Sequence, residues 1–218
     1  MLLNYLFDEN PYDDFPIAAF DLDHTGFNLP NKVLNKVLEV KPSKIIEVGT
    51  WKGNSAFYMA DLLRQNGVDF EMVCVDTWLG AKEMWIKEER SAVPERREGL
   101  KMQCGYPTLY YQFLANVIKK EYKDCIVPFP NTSTVAFTVL QHLEYQAQFI
   151  YIDGSHEATD AHNDITNYWK LLEPGGIMCG DDYFWDGVHA AVNGHVAKTG
   201  CEYGVYPEEY SWWVRKLK

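Results

Sequence analysis

A run of eleven residues, Ile45-Ile46-Glu47-Val48-Gly49-Thr50-Trp51-Lys52-Gly53-Asn54-Ser55, constrains this chain more than any other. A short apolar segment carries an acid near its end, two glycines follow four positions apart, and Asn54-Ser55 can start a helix. A parallel sheet hands its first strand to a helix in this way, and the helix N-terminus then faces a ligand. Such a turn calls for a ribose-binding acid roughly 20 residues on, at the end of the next strand. Phe70-Glu71-Met72-Val73-Cys74-Val75 is the next apolar run, and Asp76 closes it.

The rest of the chain continues the rhythm. After strand 44–48, a helix carries Ala56, Phe57, Met59, Ala60, Leu62 and Leu63 and stops at Gly67. Helical spacing recurs over 107–121, 132–143, 158–172 and 187–198, with strands over 124–128, 149–153 and 177–182 between them. Glu173-Pro174-Gly175-Gly176 reads as the close of the fourth of these five helices, and two final strands surround Tyr203 and Trp213. Repeated alternation implies one α/β domain with a mostly parallel sheet. Residues 1–43 read as an irregular arm followed by a helix that Asn28-Leu29-Pro30 opens, with Val33, Leu34, Val37 and Leu38 on one face. Residues 77–106 break the alternation with charges of both signs around Trp85, Pro94 and Gly99, and they read either as a solvated surface segment or as a lid.

Composition excludes several classes. With 218 residues and a formal net charge of −11, the chain suits a single core and repels phosphate backbones and anionic lipid. Nucleic acid and membrane are therefore not expected partners. Five scattered cysteines without a CxxC pair, and no signal-like start, read as reduced thiols in a cytoplasmic protein.

The spacing also narrows the ligand. A dinucleotide turn wants glycine at the third position of Gly49-Thr50-Trp51, and Trp51 stands there. No phosphate-binding P-loop sequence exists either. A nucleoside ligand without phosphates, such as S-adenosylmethionine, suits the turn better. Gly49 and Gly53 would let backbone approach it, and the two oxygens of Asp76 could take both ribose hydroxyls.

At this point the chain resembles a family. Glu47-Val48-Gly49-Thr50-Trp51-Lys52-Gly53-Asn54-Ser55-Ala56, Val75-Asp76, Tyr151-Ile152-Asp153-Gly154-Ser155-His156, Leu171-Leu172-Glu173-Pro174-Gly175-Gly176 and Gly180-Asp181-Asp182-Tyr183 resemble, in order, the motifs of catechol-type, metal-dependent O-methyltransferases of class I. The resemblance implies a Rossmann-like three-layer sandwich with a seven-stranded sheet and a reversed final strand. It implies that Glu47, Gly49, Thr50, Trp51, Gly53, Ser55, Asp76 and Asp153 line the S-adenosylmethionine site, with Thr132 and Ser133 near the adenine.

Acids at strand ends supply the chemistry. Asp153 ends one strand, and Asp181 and Asp182 end the neighbouring one. Three convergent carboxylates call for a positive partner, and Mg²⁺ or Ca²⁺ takes oxygen ligands. The alternative for each acid is a loop cap or turn residue. The catechol-type pattern ends Asp-Asn, whereas this chain has Asp-Asp, which looks more like the macrocin and aminocoumarin sugar O-methyltransferases. His156 stands where the catechol-type family has its catalytic lysine, three residues after Asp153. It reads as general base, as metal ligand, or as a structural residue. His189 and His24 are further candidates for the pocket wall. The expected reaction is methyl transfer to a hydroxyl of a small molecule, a sugar or glycoside included. A metal-dependent hydrolase or hydroxylase-like relative and a non-catalytic cofactor-binding protein are the competing readings. Oligomeric state is open, a homodimer included.

Overall fold

The computed structural model describes residues 2–24, 30–92 and 94–217. Its elements run α1 (Leu3–Leu6), α2 (Lys32–Asn35), α3 (Val37–Val40), β1 (Lys44–Val48), α4 (Asn54–Gln65), β2 (Glu71–Asp76), α5 (Pro94–Gly99) and α6 (Leu109–Lys119). They continue through β3 (Ile126–Pro130), α7 (Ser133–His142), β4 (Ala147–Ile152), α8 (Ala158–Leu171), β5 (Leu172–Gly180), α9 (Asp186–Thr199), β6 (Glu202–Tyr206) and β7 (Ser211–Arg215).

The strands form one seven-stranded sheet in the order β3-β2-β1-β4-β5-β7-β6. The first five pair in parallel, and β7 runs antiparallel between β5 and β6. Helices α2, α3, α4 and α6 cover one face, and α7, α8 and α9 the other. Strands buried on both faces need near-continuous apolar sequence. Hence Ile45, Ile46, Met72, Val73, Phe149, Ile150, Ile177 and Met178 are all fully enclosed. The expected Rossmann-like sheet with its reversed final strand is therefore present. Cys74 and Cys179 lie in the core as strand residues, and all five cysteines are free thiols.

The order reverses between β1 and β4, so the ends of those strands flank the crevice where open α/β sheets bind ligands. Glu47 and Gly49 belong to one side of it, and Asp153 to the other. No helix among the described residues is long and apolar enough to cross a membrane.

Three expectations shift. Asn28 and Leu29 lie outside the described residues. The early helix is in two short pieces, and Asn31 caps the first by accepting from the amides of Val33 and Leu34. Val33, Leu34 and Val37 are buried as expected, while Leu38 is only partly so. The Glu173-Pro174-Gly175-Gly176 segment does not close α8 but belongs to β5, bulging out between the pairs Ala147–Leu172 and Phe149–Ile177. Gly175 takes the positive φ of 83° that the bulge requires. Finally, β3 starts two residues later than the pattern suggests, at Ile126.

Close packing at the β4–β5–β7 seam makes one position intolerant. A Cβ on Gly180 would lie 2.4 Å from the Ile152 carbonyl oxygen and 2.7 Å from the Trp212 ring. Gly180→Ala is expected to cost about 3 kcal/mol, read as a lower urea midpoint at unchanged slope. An unchanged midpoint would show that the seam relaxes freely.

Candidate active site

The turn after β1 is held from below by one carboxylate. Asp76 Oδ2 accepts the backbone N–H of Thr50 at 2.9 Å and of Trp51 at 2.8 Å, and Oδ1 accepts that of Trp78 at 2.7 Å. Trp78 Nε1 then donates to the Trp51 carbonyl at 2.7 Å. Burial pushes the Asp76 pKa up, and the backbone donors pull it down. These bonds hold Trp51 at φ 53°, a left-handed conformation that a bulky residue adopts at a cost. Both Asp76 oxygens thus accept backbone donors of the turn, a role beside the ribose binding expected of this acid. Trp51 contributes backbone rather than ring, and its indole packs against Gly99, where a Cβ would sit 2.9 Å away.

Glu47, enclosed within β1, accepts from Ser55 Oγ at 2.5 Å and lies beside the Cys74 thiol at 3.6 Å. Burial raises its pKa to about 7, with the Ser55 hydroxyl opposing the shift. Ser55 is thus a support for Glu47. Gly49 and Gly53 take φ of 84° and 94°. A Cβ on Gly49 would fall 1.9 Å from the Asp153 carbonyl oxygen, so the turn and the end of β4 touch directly. Thr132 caps α7 by accepting the Val135 amide at 3.3 Å, and Ser133 hydrogen-bonds the buried Asp164, whose pKa burial raises to about 6.

The acids are neighbours. Burial comes first and the charges of Asp181 and Asp182 next in pushing the Asp153 pKa far up. Burial raises Asp181 to about 6. Their side chains do not converge on one point: no group of three such side chains among the described residues could hold a metal ion as arranged. The reason is local. Asp181 Oδ1 accepts the Asp182 amide at 2.8 Å, and Asp182, at φ 59°, sets its Oδ2 2.7 Å from His156 Nε2. That hydrogen bond is the main cause raising the His156 pKa, with burial opposing it. The imidazole also stacks on Trp185, centroids 4.6 Å apart.

Sequence reasoning missed several participants. Trp185 is 56% exposed, and its exposed neighbour Phe184 meets the exposed Tyr210 ring edge to face. Its signal was the aromatic run immediately after Asp182. Tyr151 carries a buried hydroxyl without a partner in the described structure, and its pKa is raised by burial and then by Asp153 and Asp181. Gln112 and Asn116, both fully buried on α6, were hidden inside an otherwise apolar helix face. His24 meets the edge of Phe57 and lies 3.3 Å from Asn54 Oδ1, and His189 meets the edge of Tyr183, so neither joins the acids.

The glycine turn at the switch point thus touches the backbone of Asp153, three residues before His156. Residues 46–183 match the model of a family described as a methyltransferase domain. The chain belongs to this methyltransferase family. No curated protein matches the sequence. Among solved structures, the methyltransferase is similar to the O-methyltransferase NovP (15% identity, TM-score 0.58, covering 85% of this chain and 76% of that one). It is also similar to a putative caffeoyl-CoA O-methyltransferase from Staphylococcus aureus (10%, 0.61, 85% and 81%). A third is the O-methyltransferase from Bacillus cereus in complex with SAH (15%, 0.54, 99% and 97%). At these identities the likeness is one of fold.

The His156–Asp182 pair makes a pH prediction. A raised folded pKa means that the pair's stabilisation is fully present below about pH 6.5, the unperturbed value, and is lost as the pH climbs through the raised one. The imidazole proton resonance should titrate above 6.5, and Asp182→Asn should lower that midpoint by about one pH unit. An unmoved midpoint would remove Asp182 as the cause.

Proposed function

We propose that this methyltransferase transfers a methyl group from S-adenosylmethionine to a hydroxyl of a small molecule, with a divalent cation assisting at the acceptor. The observation that carries this reading is the contact of Gly49 with Asp153, which sets the cofactor turn against the acids. The strained, carboxylate-held turn suits a donor without phosphates. Glu47, Gly49, Thr50, Gly53 and Asp76 would hold that donor, with Thr132 and Ser133 on the same sheet edge for the adenine.

The donor set also suits a hard cation. After burial, the charges of Asp181 and Asp182 raise the Asp153 pKa, and the Asp182 charge helps to raise that of Asp181, a repulsion that a positive partner would offset. Asp153, Asp181 and Asp182 do not converge as arranged and would hold Mg²⁺ or Ca²⁺ only after their side chains turn together; the ion when bound would acidify the acceptor hydroxyl. His156, fixed by Asp182 and Trp185, takes the hydroxyl proton once neutral. The oxygen then attacks in line, the new C–O bond forms, the sulfonium C–S bond breaks, and S-adenosylhomocysteine leaves. Alignment supplies most of the acceleration.

Phe184, Trp185 and Tyr210 offer exposed ring faces to the acceptor, which suits the C–H face of a sugar or glycoside or an aromatic ring. Residues 77–106 act as a lid. Trp78, Met84 and Leu100 anchor the segment in the core, and Lys82 pairs with Glu157 at the start of α8, one residue after His156.

Screening hydroxylated small molecules for label transfer from S-adenosylmethionine supplies an acceptor for the test. His156→Ala should then lower kcat about 100-fold while cofactor affinity stays near wild type. Equal loss of both would make His156 structural. Chelation by EDTA should abolish transfer, and full activity in EDTA would remove the cation from this scheme.

A further inference from the structure

The two buried carboxamides of α6 sit at a junction of three segments. Asn116 Nδ2 donates to the Asp23 carbonyl at 2.7 Å and to the Lys52 carbonyl at 2.9 Å, while its Oδ1 accepts the Asp23 amide at 3.0 Å. Gln112 Nε2 donates to the Asp21 carbonyl and to Asn116 Oδ1, both at 2.9 Å, and Gln112 Oε1 accepts from Lys101 Nζ at 2.5 Å. Charges reinforce the same junction. Asp23 Oδ2 lies 2.8 Å from Lys52 Nζ and 3.6 Å from Lys101 Nζ. Lys52 belongs to the turn after β1, Asp21 and Asp23 to the N-terminal arm, and Lys101 to the 77–106 segment.

Such a cluster is costly inside an apolar helix face unless every polar atom is satisfied. Leu109, Phe113 and Val117 surround these amides and are fully enclosed. Gln112 and Asn116 have their bonding capacity satisfied only while the arm is docked, because Asp21 and Asp23 supply three of the bonds. Arm, turn and lid therefore dock together: undocking the arm strands two buried amides and loosens the Lys52 backbone.

We propose that Gln112 and Asn116 are positioning residues that couple docking of the arm to cofactor binding at the Gly49–Gly53 turn. This rests on the reading of that turn as the cofactor site. Coupling is reciprocal. Residues that stiffen the turn through the arm should raise cofactor affinity, and the cofactor should in turn protect the arm.

The test is calorimetric titration with S-adenosylhomocysteine, together with hydrogen exchange at the Asp23 amide. Asn116→Asp keeps the acceptor but loses both donated bonds. Asp23→Asn changes only the partly exposed arm and removes the charge facing Lys52 and Lys101. Each should weaken S-adenosylhomocysteine on the order of tenfold, with kcat at saturating cofactor changed far less. In the wild type the ligand should slow exchange at Asp23; in Asn116→Asp that slowing should shrink. Wild-type binding with unchanged affinity in both variants overturns the coupling alone. Weakened binding without ligand-dependent protection of Asp23 makes the cluster a structural support and also overturns it. No binding by the wild type overturns the cofactor reading, and the coupling with it.

Discussion

The carboxylate of Asp76 is the constraint on which the site depends. Three backbone amides from two segments converge on it, and the turn after β1 has its shape only while they do. Charged hydrogen bonds of this kind contribute about 1.5–3 kcal/mol each. That is the scale needed to hold a tryptophan in the left-handed region and a carboxylate away from water. The turn is therefore held by the protein's own hydrogen bonds, and a surface fixed in this way loses less entropy on binding.

From that turn, consequences spread both ways along the sheet edge. On one side Gly49, lacking a side chain, rests on the Asp153 carbonyl, so the turn and the acids share a boundary. On the other, the Lys52 carbonyl is tied through Asn116 to the arm. The methyltransferase thus concentrates its polar order at one end of an apolar sheet. Its enclosed acids Glu47 and Asp164 and its half-buried Asp153 and Asp181 all have raised pKa values, with desolvation as the leading cause.

The fold was legible because two-sided burial writes itself as apolar runs. Lys44–Val48 and the end of β2 at Asp76 read directly from the sequence, as did, to within a residue at each end, the helix expected over 132–143. The Pro-Gly-Gly segment misled, since the same residues that end helices also make bulges. Which acids stand at the strand ends was legible, but their direction was not. An acid at a strand end can face a ligand or its own loop, and Asp76 faces the loop. Likewise nothing in the string Asp181-Asp182 announces a positive φ at the second aspartate, yet that angle sends its carboxylate to His156. The arm's tie to α6 spans more than ninety residues of sequence, from Asp23 to Asn116, and such contacts leave no local pattern.

The central claim is that the turn held by Asp76 is where the methyl donor sits. Backbone amide spectra of the labelled protein with and without S-adenosylhomocysteine test it directly. The largest shifts are expected at Gly49, Thr50, Trp51 and Gly53, with Asp153 next. Shifts confined to the opposite end of the sheet, around Ser43, Glu71 and Tyr145, would contradict it.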